Sequence, residues 1–128
     1  GYSKNSVTIM HLDVDDLASK RKQKMSPYDT SSLMFKIYSR MSEYFLSKNS
    51  LTFFMGGDNF MVVTNSEFKT FAKDFIQICK DEFQIELNCG IGTASTSRDA
   101  VKLATESLDT IREIRDAGKE KPEIYELN

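Results

Sequence analysis

Two short apolar runs, Leu51-Thr-Phe-Phe-Met55 and Phe60-Met-Val-Val-Thr64, flank Gly56-Gly-Asp-Asn59, and this arrangement constrains the chain more than any other feature. Apolar, aromatic and β-branched residues around a short glycine turn read as an antiparallel hairpin, because glycine supplies the positive φ that a tight reversal needs. Helical periodicity brackets the hairpin on both sides. From Thr30 to Lys48, residues Leu33, Met34, Ile37, Met41, Tyr44 and Phe45 recur at a 3.6-residue period, with Ser31 or Thr30 as N-cap and Pro27 as the break before it. From Ser66 to Phe83, residues Phe68, Phe71, Ala72, Phe75, Cys79 and Phe83 share one side behind an Asn65 or Ser66 cap.

The remaining segments complete the order. Val7-Thr-Ile-Met-His-Leu12 reads as a buried strand that runs out into Asp13-Val-Asp-Asp16. Ile85 to Thr93 reads as a strand whose Gly90 and Gly92 mark a close approach to the backbone. A third helix starts at Thr96-Ser-Arg-Asp99 and runs to Gly118, and Glu123-Ile-Tyr-Glu-Leu127 closes as an edge strand. The order β-α-β-β-α-β-α-β contains the split βαβ repeat of a ferredoxin-like sheet. The expected fold class is α+β: a βαββαβ antiparallel sheet with helices on one face, plus an extra C-terminal helix and strand. A right-handed crossover leaves a gap between strands one and two that strand three fills. Strand three then leaves from the edge where strand one ends, which brings Asp13 and Asp58 to one rim.

Size and charge narrow the ligand. A chain of 128 residues buries roughly two-thirds of its unfolded surface, enough for one core, so residues 1–128 are read as a single domain. Its 17 Lys and Arg against 19 Asp and Glu leave no general cationic field, so stable nucleic-acid binding is not expected and an anionic ligand must be held by local groups. No apolar stretch approaches the ~20 residues of a membrane span, and the N-terminus lacks a basic segment followed by an apolar run. Asn5 stands where a myristoylation signal wants Ser or Thr. A cytoplasmic protein is expected, with Cys79 and Cys89 as buried free thiols.

Paired carboxylates either share a proton as an acid/base dyad or hold divalent cations. Helix starts, glycine turns and the basic segment around Lys20, Arg21, Lys22 and Lys24 favour phosphates, and with them a metal held by carboxylates and substrate together. His11 and Asp15 share the sheet face of Asp13, and a lone strand histidine is more often structural than catalytic.

Five segments carry a resemblance: His11-Leu-Asp-Val-Asp-Asp16, Phe53-Phe-Met-Gly-Gly-Asp-Asn-Phe60, Glu86-Leu-Asn-Cys-Gly-Ile-Gly92, Asp99-Ala-Val-Lys-Leu-Ala104 and Ile111-Arg112. Together they resemble the palm domains of nucleotidyl cyclases, GGDEF diguanylate cyclases and CRISPR polymerases, over nearly all of Val7 to Arg115. The Gly-Gly-Asp-Asn turn is similar to the halves of archaeal GTP cyclohydrolase III, which carry two such halves per chain. As one unit the sequence looks more like the minimal CRISPR polymerases of anti-phage systems. The resemblance implies that Asp13 and Asp58 are catalytic and, with the Val14 carbonyl, hold two Mg²⁺ or Mn²⁺ ions. It places the peptide groups of Asp16, Leu17 and Ala18, together with Gly56, Gly57, Asn59 and Arg112, against the nucleotide. Asn59 departs from the pattern, because many relatives carry a second acid there.

The sheet face opposite a single helical layer, with Val7, Ile9, Phe60 and Val62, is expected to be an interface, most simply a two-fold homodimer. The leading function is a nucleotidyltransferase that converts a nucleoside triphosphate, ATP before GTP, into a cyclic dinucleotide for anti-phage signalling. The alternatives are GTP cyclohydrolase III-like hydrolysis of GTP and a catalytically inactive nucleotide sensor.

Overall fold

The computed structural model describes residues 5–16, 18–19, 24–64 and 68–128. Its elements follow the expected order: β1 (Val7–Val14), α1 (Pro27–Leu46), β2 (Leu51–Gly56), β3 (Asn59–Thr64), α2 (Phe68–Phe83), β4 (Leu87–Ala94), α3 (Ser97–Asp116) and β5 (Ile124–Leu127). They build one sheet ordered β2-β3-β1-β4-β5. Neighbours are antiparallel except β4 and β5, which run parallel. β3 lies between β1 and β2 as the crossover argument requires.

Boundaries differ where local chemistry outweighs periodicity. β1 continues to Val14, so Asp13 sits inside the ladder, opposite Asn59 on one side and Asn88 on the other. β4 begins at Leu87, two residues later than its apolar run. Pro27 starts α1 and is not a break before it. Extended Ser26 is the N-cap, its hydroxyl accepting from Asp29 N at 3.2 Å, and a proline costs nothing in a first turn whose N–H groups lack partners anyway. This corrects the cap expected at Ser31 or Thr30. The cap expected for α2 at Asn65 or Ser66 lies outside the described residues. Thr96 caps α3, accepting from Asp99 N at 3.1 Å, and Gly118 follows its end with φ +73.

Alternation along β1 divides the interior. Met10, Leu12 and Val14 join Phe60, Val62, Cys89 and Ile91 under α1 and α2, forming the main core. The two helices of the βαββαβ unit therefore share one face. The extra helix does not join them. α3 lies on the opposite face, over β1 and β4, where Ala100 and Ala104 pack on Ile9 with Val7, Met61 and Val63 beside them. Glycines permit this approach: a Cβ at Gly90 would stand 2.3 Å from Ala104 O, and one at Gly92 2.3 Å from Ala100 O.

The expectation of a single helical layer with Val7, Ile9, Phe60 and Val62 on an open face is thus corrected. Phe60 and Val62 have the opposite parity and are buried in the main core. What stays open is the row Leu51, Phe53 and Met55 on β2, 56%, 49% and 56% exposed. α3 is anchored over β4 and stops short of it.

Cys79 and Cys89 are free and buried. Burial pushes the Cys79 thiol up to about 12 and raises Cys89 as well, which leaves both inert as nucleophiles. Among the described residues no helix is long and apolar enough to cross a membrane.

Candidate active site

Asp13 is buried at the end of β1 and points toward α3. Arg112, four turns into that helix, reaches back to it. Its Nε donates to Asp13 Oδ2 at 3.1 Å and its Nη2 donates to the same oxygen. Asn88, the β4 residue opposite, donates to Oδ1 at 3.2 Å. Burial pushes the Asp13 carboxyl above its usual range, opposed by Arg112 and Asn88 and reinforced by the nearby charge of Asp58.

Asp15, one pleat further, is also buried and carries its own cations. Lys121 Nζ lies 2.9 Å from Asp15 Oδ2, and Arg115 Nη1 lies 3.8 Å from Oδ1. Lys121 also donates to Asn88 Oδ1 at 2.6 Å, which joins the two carboxylates into one network. Two buried acids are thereby balanced by Arg112, Arg115 and Lys121. A buried carboxylate requires such compensation, because an unpaired charge cannot recover its lost hydration.

Asp58 sits at the hairpin turn, where Gly56 and Gly57 adopt φ +92 and +57. Its Oδ1 accepts from Asn59 Nδ2 at 3.1 Å, and Asn59 Oδ1 lies 2.9 Å from His11 Nε2. The β1–β3 register makes Asp13 the cross-strand partner of Asn59, so the sheet itself holds Asp58 beside Asp13. On the other side of the turn opens a pocket of about 670 Å³, walled by Pro27, Thr30, Ser31 and Phe35 of α1, by Phe54, and by Gly56 to Asp58. Asp58 belongs both to that wall and to the electrostatic surroundings of Asp13.

The structure therefore gathers Asp13, Asp58, Asn59, Arg112, Gly56 and Gly57. Val14 is adjacent, its side chain in the main core. Asp16 lies in an exposed turn, and the Ala18 N–H is directed to Asp15 Oδ1 at 3.3 Å. Leu17, Lys20, Arg21 and Lys22 lie outside the described residues. Asn88, Thr105, Arg115 and Lys121 were not singled out by the sequence reading. Asn88 alternates with Gly90 and Gly92 on the α3 side of β4, and Arg115 follows Arg112 by one turn, so both were accessible from periodicity. Lys121 lies between elements, where no period applies. Among the described residues no group of three or more His, Cys, Asp or Glu converges.

The family model of GTP cyclohydrolase III matches residues 2–123. This chain belongs to the GTP cyclohydrolase III family. Its similarity to GTP cyclohydrolase III of Methanococcus maripaludis is 36% identity over 128 residues, covering 98% of this chain and 46% of that relative. The chain thus spans less than half the length of this curated relative. Among solved structures, a GGDEF domain from Pseudomonas aeruginosa superposes with a TM-score of 0.71 at 19% identity, covering 96% of this chain and 84% of that one. The catalytic core of a rhodopsin-guanylyl cyclase in complex with ATPalphaS gives a TM-score of 0.65 at 19% identity, with coverages of 82% and 72%. The fold of this family member is a nucleotidyl cyclase-type palm, as its motifs implied.

Proposed function

We propose that this chain is a metal-dependent nucleotidyltransferase that binds a nucleoside triphosphate, ATP before GTP, between the α1 pocket and the Asp13–Asp58 rim, and joins two nucleotides into a cyclic dinucleotide. The observation that carries this reading is the double membership of Asp58, which ties a base-sized pocket to a second carboxylate and to Arg112. The donor set fits hard cations: two carboxylates and the Val14 carbonyl are oxygen ligands of the kind Mg²⁺ and Mn²⁺ accept. The pairing of Asp13 with Arg112 is consistent with a carboxylate that takes a cation.

Divalent ions bound there would activate an attacking ribose hydroxyl and neutralise charge on the triphosphate. The chain's own residues do the rest. Phe35 and Phe54 give the base an apolar wall, and Gly56 has open space where a side chain would stand, so ligand can approach the turn closely. Arg112 and Arg115 bring positive charge to the phosphate side. In the transfer a 2′- or 3′-oxygen bonds to the α-phosphorus, the bridge to the β-phosphate breaks, and pyrophosphate leaves. Closing a ring needs two nucleotides facing each other. A second copy docked on the open row Leu51, Phe53 and Met55, immediately before the Gly-Gly turn, supports that arrangement as a homodimer. The anti-phage signalling role rests on the likeness to the minimal CRISPR polymerases.

A second reading, GTP cyclohydrolase III-like opening of the guanine ring, is favoured by the 36% identity to a protein of that name, against 19% for the cyclase-type structures. Incubating the purified protein with each of the four ribonucleoside triphosphates and Mg²⁺ or Mn²⁺, followed by chromatography and mass spectrometry, separates the two. A cyclic dinucleotide with pyrophosphate supports nucleotidyl transfer. A formylated, ring-opened pyrimidine from GTP assigns the cyclohydrolase activity instead. Bound nucleotide without product leaves a sensor.

A further inference from the structure

A line of side-chain hydrogen bonds crosses the sheet from α3 to the hairpin turn. Thr105 Oγ1 lies 3.2 Å from His11 Nδ1, His11 Nε2 lies 2.9 Å from Asn59 Oδ1, and Asn59 Nδ2 donates to Asp58 Oδ1 at 3.1 Å. The chemistry of each group fixes its partner. An ionised carboxylate only accepts, so Asn59 must turn its Nδ2 toward Asp58. That leaves Asn59 Oδ1, which also only accepts, facing the ring, so Nε2 must carry a proton. With the Thr105 hydroxyl donating to Nδ1, the geometry selects the Nε2–H tautomer.

We infer that His11 is a positioning residue: through Asn59 it holds the Asp58 carboxylate in one orientation at the rim, an inference that rests on the reading of Asp58 as a metal ligand. Asp58 needs such support. It stands, partly buried, on a turn made by two glycines in positive φ. The Asn59 amide is an ambiguous donor, since its two ends are nearly isosteric and a flip would aim oxygen at oxygen. The His11 donor penalises that flip, because it would then face an NH₂ group.

The fold builds the line deliberately. His11 is paired across the sheet with Gly90, whose missing side chain lets α3 descend far enough for Thr105 to reach the ring. Asn59 is the diagonal neighbour of His11 on β3, within reach of a long side chain. The same helix delivers Thr105 to His11 and Arg112 to Asp13, seven residues or two turns apart on one face. Both carboxylates are thus set by one docking of α3. The line also gives Asn59 a role that a second acid at this position could not fill, because a carboxylate cannot donate to Asp58.

The test measures binding of Mn²⁺ alone to the intact chain by electron paramagnetic resonance, with melting curves as a fold check, for the wild type, His11→Phe, Asn59→Ala, their double variant and Asp58→Asn. Loss of a group that orients a metal ligand weakens affinity by about 10–100-fold. Such a loss is expected for His11→Phe and for Asn59→Ala, and the double variant should be no weaker than the worse single one, as for residues acting in series. Wild-type affinity in His11→Phe, or losses that multiply in the double variant, would overturn the inference while Asp58→Asn still abolishes binding. Wild-type affinity in Asp58→Asn would instead remove the metal reading, and the inference with it.

A second readout needs no His11 variant. His11 is the single histidine of the chain, so ¹⁵N-histidine labelling gives one pair of ring nitrogens. The Nε2–H tautomer is expected, with a shift of Nε2 on Asn59→Ala and on Mg²⁺ addition. An Nδ1–H ring, or one indifferent to both changes, would overturn the proposal even if His11→Phe does not fold.

Discussion

Arg112 directs Nε and Nη2 at one oxygen of Asp13, Oδ2, and leaves Oδ1 to Asn88. A carboxylate that buries itself and then recruits a guanidinium is one that requires a cation in this place. On the proposed reading of Asp13 as a metal ligand, a divalent ion would address the same charge as Arg112. Arg112 also carries Asp109 on Nη1 at 3.3 Å, which gives it a second anchor on α3 when Asp13 is otherwise engaged.

Arg112→Ala tests this competition. Without the guanidinium, Asp13 keeps only Asn88, and a buried carboxylate stripped of its partner destabilises the fold. Because the arginine side chain is 36% exposed, solvent screening holds the loss to about 1–2 kcal/mol, below the range for fully buried pairs. Thermal melting should show a drop of roughly 3–10 °C that Mn²⁺ repairs more completely than it stabilises the wild type. The KM for the triphosphate is expected to rise by about tenfold or more. Unchanged kinetics would return Arg112 to a purely structural role.

Asp13→Asn separates stability from chemistry. Folding raises the Asp13 pKa, mainly through burial, so the folded state favours the protonated carboxyl. The sign follows from linkage: this group's stabilising contribution is complete below the ordinary carboxylate pKa and is lost as pH rises through the higher folded-state value. Asparagine keeps the shape without the charge. Urea unfolding at about pH 3.5 and pH 7 should therefore show Asp13→Asn as stable as the wild type at the lower pH or slightly less so, and relatively more stable at the higher. Turnover should fall by about a hundredfold or more at both.

Much of this is legible in the sequence. The meeting of Asp13 and Asp58 follows from strand order alone, because β3 must fill the gap beside β1. The side of the sheet taken by α3 was not legible. Its apolar positions announce a buried stripe but not which face receives it, and only the placement of Gly90 and Gly92 on the parity of Ile9 and His11 points to the second face. The parity error at Phe60 and Val62 has a related cause. Asn59 opens β3 directly after the turn, opposite Asp13, and counting from that pair puts Phe60 with Leu12. Lys121 was invisible for a different reason: it reaches Asp15 from a segment without a period.

Phe53→Glu tests the open row on β2. Phe53 is half exposed and flanked by Leu51 and Met55 on the same side of the strand, an apolar strip that water covers poorly. The wild type is expected to sediment as a homodimer at micromolar concentration, and the variant as a monomer. Since Phe53 is not part of the core, the stability of the monomer should change little, by about 0.5 kcal/mol or less. Cyclic product should fall while nucleotide binding persists. A wild type that is monomeric under turnover conditions and still forms cyclic product would remove the second copy from the mechanism.

Gly90→Ala tests whether the site depends on how closely α3 sits. The added methyl would lie 2.3 Å from Ala104 O and 2.4 Å from Leu108 N, both backbone atoms of a helix that cannot yield locally. The helix must lift as a body, and it is tied down by Ser107 Oγ on Ile91 O at 2.9 Å and by packing of Ala100 and Ala104 on Ile9. Overpacking of this kind costs about 3 kcal/mol or more, read as a fall in the urea midpoint with little change in slope. Lifting α3 also draws Thr105 from His11 and Arg112 from Asp13 together. Mn²⁺ affinity and triphosphate KM should therefore deteriorate in step in any fraction that still folds. Gly118→Ala provides the contrast, since no atom lies within 4 Å of its added methyl. Its φ of +73 makes the alanine locally strained, yet the strain falls beyond the end of α3 and leaves the helix seated. A loss of stability with wild-type Mn²⁺ affinity is expected there, and the same pattern in Gly90→Ala would show that the site tolerates a displaced α3.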